Sequence, residues 1–243
     1  GEVALEVRNL SNEPNFRHVS FVLRKGEVLG LYGLIGAGRS ALLSSIFGAN
    51  PIDEGEIFVN GKTCVINSPN CAMQMGIGLV PEERKIQGLA TPLTIRHNIN
   101  ISSYPDISRF GFIKISEERK RSEKYVHELN IRTPSIEKTV NQLSGGNQQK
   151  VSIAKWLSKK VDILLLDEPT TGVDIGAKIE IYRLIESLTK QGKAVIVCSS
   201  YLPEVIGLAD RILVLAEGEV MGIVARQEAN EELLVSLASK VRV

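Results

Sequence analysis

Two kinds of apolar pattern divide the chain. Val3–Arg8 and His18–Leu23 alternate apolar and polar residues, as half-buried strands do. Glu56–Val59 and Thr63–Ile66 flank Asn60-Gly61, a strong signal for a two-residue hairpin. These segments predict an antiparallel β layer near the N-terminus. Four further runs, Val28–Tyr32, Ile163–Leu166, Ala194–Cys198 and Ile212–Ala216, are continuously aliphatic and bounded by turn residues. Such runs suit parallel strands covered on both faces. A helical period runs from about Gly176 to Gln191, with Ile181, Leu184, Ile185 and Leu188 on one face and Gly192 as a stop.

Between roughly Ile86 and Lys160 the strand pattern fades. Ser116–Asn130 reads as an exposed helix, with Ser116 as cap, Glu117 and Glu118 in the first turn, and the EERKR run as a solvated face. A short helix starts at Leu202-Pro203-Glu204, since proline is tolerated in a first turn. The expected fold is α/β: a mostly parallel sheet, an N-terminal antiparallel β layer and an inserted helical subdomain. The boundaries place one domain over 1–243, with its core at about 1–85 and 161–243 and the helical subdomain at about 86–160.

Three strings carry the chemistry. Leu143–Lys150 reads LSGGNQQK ahead of Val151, Ala154 and Leu157 at helical spacing. With Ser144 as N-cap, Gly145 and Gly146 would expose backbone amides at a helix head, where unpaired donors and the helix dipole attract anions. Their lack of a Cβ would admit close approach. Strand Val28–Tyr32 runs into Gly33-Leu34-Ile35-Gly36-Ala37-Gly38-Arg39-Ser40 and then a helix ending near Gly48. This is the phosphate-binding pattern G-x-x-x-x-G-K-[ST] in its strand–loop–helix setting, with arginine for lysine. The fold is therefore expected to be a P-loop NTPase core, with the Ser40 hydroxyl placed for Mg²⁺. Leu164-Leu165-Leu166 delivers Asp167-Glu168 at a strand end. Asp167 would hold Mg²⁺ and Glu168 would orient or deprotonate an attacking water. Asp174 would cap the helix that follows or serve an interface.

Composition narrows the field. Lys plus Arg number 29 against 28 Asp plus Glu, a net charge of +1, which gives no support to bulk electrostatic binding of nucleic acid. The three cysteines, Cys64, Cys71 and Cys198, lack C-x-x-C spacing, so a reduced cytosolic protein is expected and no zinc site is readable. No apolar run reaches membrane-spanning length, so any link to a membrane is expected to pass through a partner.

The P-loop, LSGGNQQK, LLLDEPTTGVD and SSYLPEV together resemble the ATP-binding domain of ABC transporters. GLIGAGRS, PEERKIQGL, LSGGNQQKVSIAKWL, GVDIGAKIEIY and SSYLPEVIGLADRILVLAEGEV narrow the resemblance to the C-terminal half of tandem ATPase subunits in bacterial importers of ribose, galactose, xylose and arabinose. The missing first half implies a piece of a longer subunit. The resemblance implies a cytoplasmic protein, peripheral on the inner face of the cell membrane. Its partners would be a second ATP-binding domain, membrane permease subunits and, indirectly, a periplasmic sugar-binding protein. ATP and Mg²⁺ would be the cofactors. Gly33–Ser40, with Ala41, would hold one nucleotide, while Leu143, Ser144, Gly145, Gly146, Asn147 and Gln148 would serve the nucleotide of the partner domain.

Besides Arg39, three positions and one segment depart from the family pattern. Glu82 stands where a glutamine normally touches Mg²⁺ and the permease. Ser200 stands where a histidine normally meets the γ-phosphate. Thr171 replaces an arginine, and Leu10–Asn15 offers no aromatic to stack on adenine. An arginine fork is larger than a lysine ammonium, so Arg39 keeps phosphate charge but loses the lysine geometry. One donor fewer at Ser200 would cost roughly 10²–10³ in rate. The expectation is an asymmetric ATPase, with an impaired site at its own P-loop and an intact LSGG for its partner. A non-hydrolysing nucleotide-binding module and a cytosolic non-transport ATPase are the rival readings. Arg84 and Lys85 would meet an acidic coupling segment or stay solvated, and Trp156 would pack in the interior.

Overall fold

A computed structural model describes residues 1–240. In chain order its elements begin with β1 (Val3–Asn12), β2 (Phe16–Arg24), β3 (Val28–Gly33), α1 (Arg39–Ile46), β4 (Glu54–Val59), β5 (Lys62–Cys64), α2 (Pro69–Gln74) and β6 (Ile77–Val80). Next come a π-helical turn (Arg84–Gly88), α3 (Ile95–Asn100), α4 (Tyr104–Ile107), β7 (Ser108–Arg109), β8 (Phe112–Ile113), α5 (Ile115–Glu128) and α6 (Gly145–Ser158). The chain continues with β9 (Ile163–Asp167), α7 (Ile175–Lys190), β10 (Ala194–Cys198), α8 (Leu202–Leu208), β11 (Arg211–Ala216), β12 (Glu219–Ala225) and α9 (Glu231–Ala238).

Two compact units divide these elements. The first comprises Gly1–Leu79, Asp162–Glu168 and the described residues from Ile185 on. Its six-stranded sheet runs β12-β11-β3-β10-β9-β6, and β3 pairs in parallel with β10 and β11. The four aliphatic runs are thus adjacent strands β9, β10, β3 and β11, all but one of whose residues are buried. Ladder bonds satisfy their backbones, and helices such as α1, α8 and α9 pack on the sheet. The antiparallel layer has the order β2-β1-β4-β5, with Asn60-Gly61 turning the last hairpin at positive φ. Its alternation buries Leu5, Val7, Val19, Phe21 and Leu23, and β2 packs near β10 and β12.

The second unit, Val80–Val161 with Pro169–Leu184, is mainly helical. Helix α6 packs on α3, α5 and the π-turn, burying Val151, Ala154, Leu157 and Trp156. Two sequence expectations change here. Ser116 does not cap α5, which starts one residue earlier after Lys114 and has no side-chain cap. The EERKR run is not wholly solvated either. Glu118 is 2% exposed, paired with Arg96 and accepting a 2.7 Å hydrogen bond from Tyr104 Oη. Asp174 does cap α7, its Oδ1 accepting from the Ala177 amide at 3.0 Å. Among the described residues no helix is long and apolar enough to cross a membrane.

Candidate functional site: two glycine-rich helix heads

The first helix head lies in the sheet unit. Strand β3 ends at Gly33, whose missing side chain leaves room for Leu215 O and Ala37 Cβ; an added Cβ would come within 3.0 Å of both. The chain then turns through Leu34 and Ile35, the latter 97% exposed, to Gly36 at φ 82° with open space around it. Ala37 is buried and its amide donates to Leu34 O at 3.0 Å. The amides of Ile35, Gly36 and Gly38 find no acceptor among the described residues. Gly38, at φ 90°, occupies the N-cap position of α1 without a side-chain cap, so the helix head stays open. A Cβ there would strike Asn15 O, so glycine is required on two counts. Ser40 and Ala41 lie on the first turn of α1.

The acidic pair stands at the end of β9. Asp167 is 5% exposed and its Oδ1 has no partner. Burial raises its pKa, and the neighbouring Ser40 and Cys198 side chains oppose the shift. A buried carboxylate oxygen left unsatisfied beside a serine hydroxyl is a hard oxygen donor set, which fits Mg²⁺. Glu168 has a left-handed backbone at φ 46°. Its Oε1 accepts from the Ser200 amide at 2.7 Å and lies 3.5 Å from Arg39 Nη1. Burial raises its pKa, opposed mainly by the Arg39 charge. Two sequence expectations are sharpened. Ser200 reaches the site through its backbone amide, and Arg39 turns to Glu168. Phe16, the first aromatic after Leu10–Asn15, is 1% exposed and cannot stack on a base.

The second helix head lies in the helical unit, and its glycines work differently from the expectation. Gly145 and Gly146 have no positive φ. A Cβ on Gly145 would collide with Gly172 O and meet Arg84 Nη2 at 2.9 Å, and a Cβ on Gly146 would collide with Ala177. Both are glycine because neighbouring backbone and α7 fill that space. Ser144 sits at the N-cap position but its side chain accepts from no backbone amide; instead Asn147 Nδ2 donates to Ser144 Oγ at 2.9 Å. The helix-head amides therefore remain unclaimed. Leu143 is buried, and Gln148 turns inward to donate to Val140 O and Leu143 O, so neither faces a ligand. Glu82 is exposed in this unit. A cleft of about 110 Å³ beside the turn is lined by Ser144, Gly146, Asn147, Lys150, Asp174 and Glu180, among others. A larger cleft of about 590 Å³, between Gly48 and Asn67, contains none of the predicted site residues.

Sequence reasoning missed the buried cations of the helical unit. Lys150, inside the LSGGNQQK string, binds Glu180 at 2.6 Å and Asn130 O at 2.8 Å. Lys155 donates to Gly88 O at 2.8 Å, stands over the Trp156 ring, and is pushed by burial from its ordinary 10.5 to about 8. Arg84 is neither solvated nor facing outward; it is 8% exposed and bonded to backbone carbonyls. Its carbonyl partners, contributed by a distant segment, leave no local mark in the sequence.

An open amide turn on an α/β sheet, with a buried acidic residue beside its serine, defines a P-loop nucleotide-binding domain. The match of residues 16–171 to the ABC transporter family model goes further: the chain belongs to that family and is one of its ATP-binding domains. It is 46% identical over all of its length to a ribose import ATP-binding protein of Rubrobacter xylanophilus. It is 45% identical over 98% of its length to a ribose import ATP-binding protein of Bacillus cereus. The chain spans about half the length of these relatives, 48% of each, and corresponds to their C-terminal half. The fold is that of MJ1267, an ATP-binding cassette of an ABC transporter, at a TM-score of 0.82 and 21% identity, covering 98% of this chain and 99% of that one. MJ0796, a bacterial ABC transporter cassette solved as a dimer, gives a TM-score of 0.77 at 25% identity over 91% and 98% of the two chains.

Proposed function

We propose that this domain binds and hydrolyses ATP to drive import of a monosaccharide through a membrane permease, with an impaired site at its own P-loop and its LSGG turn serving a partner domain. The single observation that carries nucleotide binding is the unpaired buried Oδ1 of Asp167 beside Ser40, at the foot of an open amide turn. The sugar-import names of the relatives support the transport role.

Gly36, Gly38 and the first turn of α1 would cradle the phosphates through backbone amides. Ser40 and Asp167 would hold Mg²⁺, which supplies charge neutralisation on the phosphate oxygens. Glu168 is the general base, and its burial-raised pKa brings its basicity nearer to operating pH. To act, Glu168 has to give up Arg39, and Arg39 has to turn toward phosphate. That competition slows the domain's own site, and Ser200 offers no imidazolium to offset it.

Single-turnover hydrolysis in the full-length subunit tests the asymmetry, with the catalytic glutamate of each half changed to glutamine in turn. The expected result is a large loss from the partner half's glutamate and a small one from Glu168→Gln. Equal losses overturn the asymmetry. The Arg39–Glu168 pair also favours a second reading, in which the domain's own P-loop holds nucleotide without hydrolysing it. Under that reading Glu168→Gln leaves phosphate release by this half unchanged at zero.

A further inference from the structure

Arg84 is buried without a carboxylate partner. Its Nη1 donates to Thr171 O at 2.6 Å and its Nη2 to Gly172 O at 3.3 Å, while Nε has no acceptor. Among the described residues no acidic group forms an ion pair with it, and burial is what depresses its pKa. It remains charged all the same, because arginine does not deprotonate in proteins.

The location makes this charge unusual. Arg84 Nη2 stands 2.9 Å from where a Cβ of Gly145 would be, directly behind the head of α6. A helix head carries positive partial charge, so a cation there is repelled rather than stabilised. A buried brace between two carbonyls needs only donors, and a neutral amide would supply them without that repulsion. A full positive charge becomes favourable at this spot when an anion arrives on the other side of the turn. Ser144 leaves the α6 amides unclaimed, so the turn is open to that anion. Meanwhile Arg84 N donates to Glu82 O at 2.9 Å, and Lys155 pins the far end of the same π-turn through Gly88 O. One short segment therefore connects Glu82, the LSGG turn and the Thr171–Asp174 turn, all within the helical unit.

We propose that Arg84 is a positioning residue for the partner domain's triphosphate: it fixes the LSGG turn and the Thr171–Gly172 carbonyls as one platform and adds the positive potential that holds terminal phosphate there. The proposal rests on the reading that LSGG serves a partner's nucleotide. Displacement of the Glu82–Gly88 segment would then reach the phosphate through this guanidinium.

The test uses the full-length subunit assembled with its permease, with Arg84→Gln, Arg84→Lys, Arg84→Ala and Ser144→Arg compared by single-turnover and steady-state hydrolysis. Arg84→Gln keeps a donor but loses charge, and Arg84→Lys keeps charge but loses the fork. The expected result is a kcat loss of about tenfold or more for Arg84→Gln and a distinctly smaller loss for Arg84→Lys, in line with the weight of charged hydrogen bonds. ATP binding at this domain's own P-loop, read with a fluorescent ATP analogue, stays unchanged. Should Arg84→Ala fail to fold, the glutamine and lysine variants carry the test, with thermal unfolding as the control. If Ser144→Arg leaves hydrolysis intact, the donated-signature reading fails. If Ser144→Arg abolishes hydrolysis while Arg84→Gln matches wild type, or glutamine and lysine lose equally, the role of Arg84 is overturned.

Discussion

The two glycine-rich helix heads look alike in sequence and differ in physical construction. At Gly36 the backbone is left-handed and the space around it is empty, so glycine is there for conformation. At Gly145 and Gly146 the backbone is ordinary and the space is filled by Gly172, Arg84 and Ala177. The charges behind the two heads also have opposite sign. Asp167 and Glu168 are carboxylates raised in pKa by burial, whereas Arg84 is a cation lowered by it, as is Lys155 near the far end of α6. Under the proposed function, one head would take a phosphate–metal pair and the other phosphate alone. A motif string records only that glycine is required, not which of these reasons requires it.

Substitution of the glycines tests this contrast with the largest effect. Gly146→Ala is expected to destabilise the domain by about 3 kcal/mol through overpacking against Ala177, as measured by urea unfolding. Gly36→Ala, which meets no neighbour, is expected to cost about 1 kcal/mol from its left-handed backbone alone. Similar values for the two would break the distinction.

The opposite charge shifts predict opposite pH responses. The folded pKa of Lys155 lies below its unfolded value, so the unfolded chain binds more protons between about pH 8 and 10.5. Stability from this residue therefore rises with pH across that window, by up to about 3 kcal/mol. Denaturant melts at pH 7.5 and 10 should show the gain, and Lys155→Met should flatten it. Asp167 works in the other direction. Its folded pKa is raised, so its contribution is intact below the ordinary carboxylate range and is lost as pH rises through the shifted value. Asp167→Asn should thus stabilise the domain by about 1 kcal/mol at neutral pH while removing Mg²⁺-dependent nucleotide affinity. A destabilised Asn variant would mean that Oδ1 is not strained by burial.

The smallest expected effect lies at Ser144. A conventional N-cap loses about 1 kcal/mol on truncation, but this side chain caps no amide. Ser144→Ala should stay within about 0.5 kcal/mol of wild type in thermal unfolding.

The sheet was legible because continuous aliphatic runs and alternating ones have different periods, and both survive in the structure as β9, β10, β3 and β11 on one side and β1 and β2 on the other. The open amide turn was legible from glycine spacing after a strand. The start of α5 was not, because Ser116 is a better cap by type than Lys114 and Ile115 looks too apolar for an exposed first turn. Nor were Glu118 and Arg84, since charged residues default to solvent unless distant segments bring partners. Arg96 and Tyr104 do so for Glu118, and the Thr171–Gly172 carbonyls do so for Arg84. The inward turn of Gln148 likewise depends on Val140 O and Leu143 O, which a string of letters does not orient.

The backbone at Glu168 is held in a region that glycine and asparagine enter freely and β-branched residues resist. A saturating library at this one codon would therefore yield two orderings that cross. Ranked by cellular abundance, glycine and asparagine should lead and valine and isoleucine should trail. Ranked by phosphate turnover, glutamate should lead by the small margin expected of a slowed site, at the expense of a conformation its own side chain does not favour.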